Sequence, residues 1–219
     1  DIQIYVIYQV DWTWYKNLLQ KIIGSSKMYK GGHVMNIEKI EKETHQKIKY
    51  YKKINSTHLH AKKIEKEGDQ ILIAEIQTTG IGTKGREWHT GENKNIAVTI
   101  IKHPKCKIKE LEGLTTKIAE SIQQVIKKMY GYKLKIKIPN DLMMNGKKIC
   151  GILTEVHTQG EKIEYLLISI GFNVNEEEFS DDLKDIATSL KKEYKKEFCR
   201  EDIIINIINS LENIFVGII

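Results

Sequence analysis

Two apolar runs, KKICGILTEV and EYLLISIGFNV, stand close together in the chain, with QGEK as the turn between them. Neither approaches the ~18 apolar residues that a membrane-spanning helix needs. Short apolar runs bounded by a turn are buried strands, so a sheet must form the centre of the fold. The remaining pattern is built around it. Residues 48–54, IKYYKKI, alternate weakly and read as a strand. STHLHAKKIEKEG reads as a helix, with Ser56 or Thr57 as N-cap and Gly68 as its stop. ILIAEI and NIAVTIIK are further strands. Leu111, Leu114, Ile118, Ile122, Val125, Ile126 and Met129 recur at helical spacing and form a core-facing stripe, closed by Gly131. LKIKI alternates strictly. DIIINIINSLENIF reads as a last helix capped by Asp202. Runs of strands separated by helices predict an α+β fold, one mixed or antiparallel sheet with helices packed on one face.

Composition narrows the functional classes. With 41% hydrophobic residues the 219-residue chain can bury a core. Cys106, Cys150 and Cys199 are far apart and odd in number, which argues against a disulfide framework or a structural zinc site and fits a reducing cytoplasm. The formal charge of +6 comes from lysines spread along the chain. That describes a solvated surface rather than a nucleic-acid stripe, so no specific DNA binding and no membrane association are expected. Residues 1–34 differ from the rest: they are aromatic-rich, lack the features of a signal peptide, and end in a Ser/Gly joint. Met35 is a candidate natural start, so residues 1–34 are expected to be an extension, either a non-native fusion or a divergent segment, before a domain spanning 35–219.

The stretch QTTGIGTKGREWHT spaces Gly80, Gly82 and Gly85 as G-x-G-x-x-G. A dinucleotide site requires a helix to open from such a loop, yet REWHTGENKN leads into another strand. A kinase requires H-R-D and D-F-G tripeptides, and neither occurs. What remains is a hairpin-like loop whose glycines expose backbone N–H groups able to form an anion nest, with Lys84 and Arg86 adding charge. Alone, it is equally a solvent-exposed turn.

A second motif, KIPNDLMMNGKKICGILTE, is more specific. Strand alternation separates Lys135 and Lys137 from the apolar face. Pro139 ends that strand, and Asn140 and Asp141 stand at its tip. Gly151 lies inside an apolar strand, where glycine marks close approach of a ligand or backbone. A lysine beside Asn-Asp and opposite a glycine suits an anionic or carboxylate substrate.

Taken in order, the residues resemble the catalytic domain of biotin protein ligases: Ser56-Thr57-His58; Gln77, Gly80, Gly82, Gly85, Arg86 and Trp88; Lys137 with Pro139-Asn140-Asp141; Lys147-Lys148; Gly151-Ile152-Leu153-Thr154-Glu155; Gly171-Phe172-Asn173-Val174; and Thr188-Ser189-Leu190. The resemblance implies a class II synthetase-like fold and an ATP- and magnesium-dependent reaction. Biotin is activated to biotinyl-5′-AMP and passed to a lysine of the carrier domain of acetyl-CoA or another biotin carboxylase. It further implies that Lys137 is the catalytic lysine. Biotin would meet Ser56, Thr57, His58, Gln77, Gly80, Ile81, Gly82, Thr83, Lys137 and Gly151. The nucleotide would meet Lys84, Gly85, Arg86, Trp88, Asn140 and Asn173, and Asp141 would take the magnesium.

Several positions depart from the family pattern. Ile81 and Thr83 stand where relatives carry arginines that bind phosphate and carboxylate. Each lost charge-assisted hydrogen bond costs ~1.5–3 kcal/mol, so the expectation is a ligase that forms its adenylate poorly or one that releases it early, with early release the favoured reading. Ile138 replaces a tryptophan. His58 replaces an asparagine and brings a titratable ring. The small C-terminal β-barrel of relatives is not expected here, and the N-terminal segment does not read as an operator-binding module. Three alternatives stay open: a non-catalytic module that binds biotin or a carrier domain, a lipoate-type acyl ligase, and a basic nucleic-acid-binding protein.

Overall fold

The computed structural model describes residues 33–216; most of the 1–34 extension lies outside them. The elements, in order, are α1 (Ile37–Thr44), β1 (Ile48–Ile54), α2 (Thr57–Ile64), β2 (Gln70–Gln77), β3 (Gly80–Ile81), β4 (Glu87–Trp88), β5 (Ile96–Lys102), α3 (Leu114–Tyr130), β6 (Lys135–Lys137), β7 (Asp141–Met144), β8 (Lys147–Gln159), β9 (Lys162–Phe172), α4 (Leu190–Tyr194) and α5 (Arg200–Phe215). Seven strands form one sheet in the order β1-β2-β5-β9-β8-β7-β6. Only β1 and β2 are parallel, joined over α2; the other neighbours are antiparallel. The sheet is therefore mixed and the class α+β.

The amphipathic stripe of α3 packs with α5 on one face, over Ile71, Ile73, Val98, Ile100, Ile168 and Ile170. These are alternate residues of β2, β5 and β9, as a two-residue strand period requires. The short α2 covers part of the opposite face, where Ala61 meets Leu72, Ile101 and Leu167. Ser56 caps α2, its side chain accepting from the Leu59 N–H at 3.4 Å. Asp202 does not cap the last helix: α5 begins at Arg200 with Cys199 as N-cap, which puts Asp202 in the first turn, a position its charge favours.

Two features position the cleft. The first is a buried ion pair. Arg200 is fully buried and its Nη1 lies 2.5 Å from Glu75 Oε2 on β2. Arg200 also donates to the carbonyls of Asn95, at 3.1 Å, and His33, at 2.5 Å. Glu75 accepts further from the Met35 N–H at 2.7 Å and from the Tyr50 hydroxyl at 3.3 Å. Burial, with Glu75 beside it, pushes the Tyr50 phenol up to about 12. One carboxylate thus ties the first described residues, the sheet and the start of α5 together.

The second is a row of small residues. Antiparallel register sets Ala74 opposite Ala97, Ala97 opposite Gly171, Gly171 opposite Gly151, and Gly151 opposite Asp141. Directly opposed residues share a face, so the row carves a trough across the face that α2 only partly covers. The β3–β4 ribbon folds over it. Gly80 opposes Trp88 so closely that a Cβ would stand 2.3 Å from the Trp88 carbonyl oxygen. The Trp88 indole then lies in the trough: a Cβ on Gly171 would fall 2.2 Å from its ring, and one on Gly151 3.1 Å from it.

Arg200→Ala leaves the Glu75 carboxylate buried without its cation. It should lower the unfolding free energy by about 3–5 kcal/mol, read in urea denaturation, whereas Arg200→Met combined with Glu75→Gln should cost less than Arg200→Met alone. Gly171→Ala forces the indole aside and should cost about 1–2 kcal/mol as overpacking. In a Trp88→Ala background that cost should fall by more than half, a coupling that a double-mutant cycle measures.

Candidate active site

The trough opens into two compartments. The inner one, a cavity of about 30 Å³, is lined by Thr57, His58, Ile81, Ala97, Leu153 and Ser169, among others. The outer one, a cleft of about 450 Å³, includes Thr78, Gly80, Arg86, Thr90, Asn95, Asn173, Glu176 and Ile186. Gln77, Gly82, Thr83, Trp88 and Lys148 border both. These five residues form the junction between the two compartments.

The floor of the inner cavity is polar, a continuous chain of side chains within hydrogen-bonding distance. The Thr57 N–H and hydroxyl both donate to Gln77 Oε1, at 2.8 and 3.0 Å, and Gln77 Nε2 donates to Thr90 at 3.3 Å. The Thr99 hydroxyl donates to Thr57 Oγ1 at 2.8 Å and lies 2.8 Å from the Ser169 hydroxyl. Ser169 meets His58 Nδ1 at 2.9 Å, and His58 Nε2 meets Glu155 at 3.1 Å. Lys62 pairs with the other Glu155 oxygen at 2.7 Å. Burial pushes His58 below its ordinary value, against the raising pull of Glu155. Burial alone would raise Glu155, but the hydrogen bonds from Lys62 and His58 hold it below the usual carboxylate range. Side-chain chemistry alone does not single out Thr99 and Ser169; only the pairing of β5 with β9 brings them beside Thr57 and His58.

The lysine that lines both compartments is Lys148. β7 inserts between β6 and β8, so Lys137 lies on the edge strand, exposed and outside the lining of either compartment, although its register opposite Asp141 continues the row of the trough on the same face. Lys148 Nζ instead approaches Gly151, pairs with Asp141 Oδ1 at 2.7 Å and stands 5.5 Å from the centroid of a Trp88 ring.

The other expected residues divide. Thr57, His58, Gln77, Ile81, Gly82, Thr83 and Gly151 line the inner cavity. Gly80, Arg86, Trp88 and Asn173 line the outer cleft. Ser56 is buried as the α2 cap. Lys84 and Gly85 are exposed at the ribbon tip, where both have positive φ, and border neither compartment. Asn140 acts indirectly, because its Nδ2 donates to the Thr83 hydroxyl at 2.6 Å and to the Ile152 carbonyl at 3.1 Å, latching the glycine loop to the β6–β7 turn. In the outer cleft the Glu176 carboxylate lies against Gly91 and is held by Lys94 at 2.9 Å and Asn95 at 3.3 Å. Among the described residues, no group of three or more His, Cys, Asp or Glu side chains could hold a metal ion. No helix there is long and apolar enough to cross a membrane.

Comparison with known proteins agrees with this geometry. Residues 40–173 match the biotin/lipoate A/B protein ligase family. The chain is 35% identical over 144 residues to the bifunctional ligase/repressor BirA of Bacillus subtilis, covering 65% of this chain and 44% of that one. It is 30% identical over 109 residues to a biotin–[acetyl-CoA-carboxylase] ligase of Paracoccus denitrificans, covering 49% of this chain and 45% of that one. The match thus spans less than half the length of these curated relatives. In fold it resembles the biotin protein ligase from Aquifex aeolicus in complex with biotin and ATP, with a TM-score of 0.65 at 24% identity over 76% of this chain and 68% of that one. It also resembles the Leishmania major biotin protein ligase in complex with biotinyl-5-AMP, with a TM-score of 0.63 at 23% identity, covering 78% and 75%. The chain belongs to the biotin/lipoate A/B protein ligase family.

Proposed function

We propose that the chain activates biotin with ATP and passes the biotinyl group to a lysine of a carboxylase carrier domain. The observation that carries this is the meeting of two unequal compartments at one lysine. The inner cavity has a floor of mixed donors and acceptors, suited to a cyclic urea; with the Trp88 indole in the trough it has room for only about one or two waters, so the guest enters as that ring moves aside. The outer cleft has the width for a nucleotide and offers Arg86 and Asn173 to it. The names and bound ligands of the relatives support the same assignment.

In this mechanism the biotin carboxylate points from the inner cavity toward Lys148. A carboxylate oxygen attacks the α-phosphorus of ATP, the bond to the pyrophosphate oxygen breaks, and biotinyl-5′-AMP and pyrophosphate result. Two anions must approach each other, and the Lys148 ammonium at the junction offsets their repulsion. Lys148 exchanges Asp141 for these oxygens, replacing one anionic partner with another. The neutral amine of the acceptor lysine then attacks the acyl carbon, AMP leaves with the bonding electrons, and the amine loses a proton. Magnesium binds through few carboxylates and mostly through phosphate and water oxygens. Asp141, the carboxylate paired with Lys148, fits an ion held chiefly by the nucleotide, and that ion would neutralise phosphate charge.

Ile81 and Thr83 bring no cation to the loop that covers the junction. The latch from Asn140 to Thr83 is a neutral hydrogen bond, about half as strong as a charge-assisted one. The adenylate is therefore held loosely and escapes before transfer.

Biotin-dependent ATP–pyrophosphate exchange should be present in the wild type. It should fall about 10- to 100-fold in Lys148→Ala, the loss of one charge-assisted hydrogen bond, and stay within about threefold in Lys137→Ala, since that exposed side chain contributes at most about a weak ion pair. The reverse ranking would return the role to Lys137, and a wild type without exchange would favour a binding module. With biotin, ATP and a bystander protein, blotting should reveal biotin on the bystander. A clean bystander beside a labelled carrier domain would remove the case for early release.

A further inference from the structure

The hydrogen-bond chain under the inner cavity has two fixed ends. At one, the Thr57 N–H identifies Gln77 Oε1 as an acceptor, so the Thr57 hydroxyl must donate to it. At the other, the Glu155 carboxylate, held ionised by Lys62, only accepts. Between them run five contacts: Thr57–Gln77, Thr99–Thr57, Ser169–Thr99, His58–Ser169 and His58–Glu155. Each needs one hydrogen. The three hydroxyls and a neutral imidazole supply only four, so all five are satisfied together only when His58 is an imidazolium. Burial of the ring opposes that charge.

We propose that His58 is a positioning residue: in its neutral form it leaves this chain one hydrogen short between Thr57 and Ser169, and an N–H of a bound cyclic urea supplies the missing hydrogen. This rests on reading the inner cavity as the biotin subsite. Thr57 and Ser169 both line that cavity, so the orphaned oxygen lone pair faces the ligand. With neutral His58, Nε2–H points to Glu155 and Nδ1 accepts from Ser169, which keeps lone pairs of Ser169 available. Protonation reverses the direction. Nδ1–H then takes one Ser169 lone pair, Ser169 donates to Thr99 and Thr99 to Thr57, so all five contacts are made within the protein and Ser169 keeps one lone pair for the ligand instead of two. The charged and titratable groups around the ring are Glu155 on β8 and Lys62 on α2, with Tyr165 on β9 beyond Glu155. Glu155 is held below the usual carboxylate range by its hydrogen bonds from Lys62 and His58, leaving the ring as the group that changes.

The linkage has a definite sign. The contribution of this hydrogen bond to binding is fully present above the His58 pKa and is lost as the pH falls through it, and by reciprocity the ligand lowers that pKa. Calorimetric titration of the 219-residue chain with biotin between pH 8 and pH 5.5 tests it. The wild-type Kd should rise about 3- to 10-fold on acidification, the worth of one neutral hydrogen bond. His58→Asn, whose amide can donate to Glu155 and accept from Ser169 but cannot take a proton, should vary by less than about twofold. NMR titration of the wild-type ring should show its pKa fall when biotin is added, a readout available even if the variant does not fold. A pH-independent Kd in the wild type, an acid limb retained in His58→Asn, or a His58 pKa that stays or rises with biotin would each overturn the inference while leaving the cavity a biotin site. Absence of biotin binding at every pH would overturn the subsite reading and the inference together.

Discussion

Strand register is the constraint on which the cleft depends. Ala74, Ala97, Gly171, Gly151 and Asp141 come from five strands that are scattered over the chain, yet pairing lines them up on one face. A slip of one residue in β2, β5, β8 or β9 would send its small residue into the core and bring a larger neighbour, such as Ile73, Ile96, Ile152 or Ile170, into the trough. The core enforces the register, since the alternate positions Ile71, Ile73, Val98, Ile100, Ile168 and Ile170 have to face α3 and α5. Hydrophobic packing on one side of the sheet thereby determines the shape of the binding surface on the other.

Charge is used in two distinct ways. Arg200 and Glu75 are both almost wholly buried and surrounded by further donors and acceptors, so neither can leave without stranding the other. Lys148 and Asp141 retain side-chain exposures of 28% and 12%, and water can help to solvate either when they separate. The first pair fixes geometry, including the Asn95 carbonyl beside the outer cleft. The second keeps a lysine charged and oriented at the junction while leaving it able to change partners.

Much of the architecture was legible because periodicity reports which residues face the core. The strands β1, β2, β5, β8 and β9 and the helices α2, α3 and α5 all have such a signal. α1 and α4 are short, and β7 is a four-residue strand whose DLMM sequence carries no alternation of its own. Missing β7 had a chemical cost: without it Lys137 reads as a neighbour of Gly151, whereas one extra strand moves it to the sheet edge and leaves Lys148 at the junction. Thr99 and Ser169 were illegible for a related reason. In an apolar strand a threonine reads as a β-branched filler, and only long-range pairing turns it into part of a hydrogen-bonded floor. The glycine loop was legible as a strand–loop–strand element, but its tip residues Lys84 and Gly85 are exposed and line neither of the compartments they were expected to serve.

Trp88 has a thermodynamic consequence for any guest. Its indole fills the ground over Gly171 and Gly151, and its Nε1 is buried with no hydrogen-bond partner. The folded chain is thus its own competitive occupant: every guest displaces an internal one, and the measured affinity is the intrinsic affinity scaled by the fraction of molecules whose ring has swung clear. Because the displaced ring gives up a donor that had found no acceptor, the eviction is cheaper than its buried area alone would suggest.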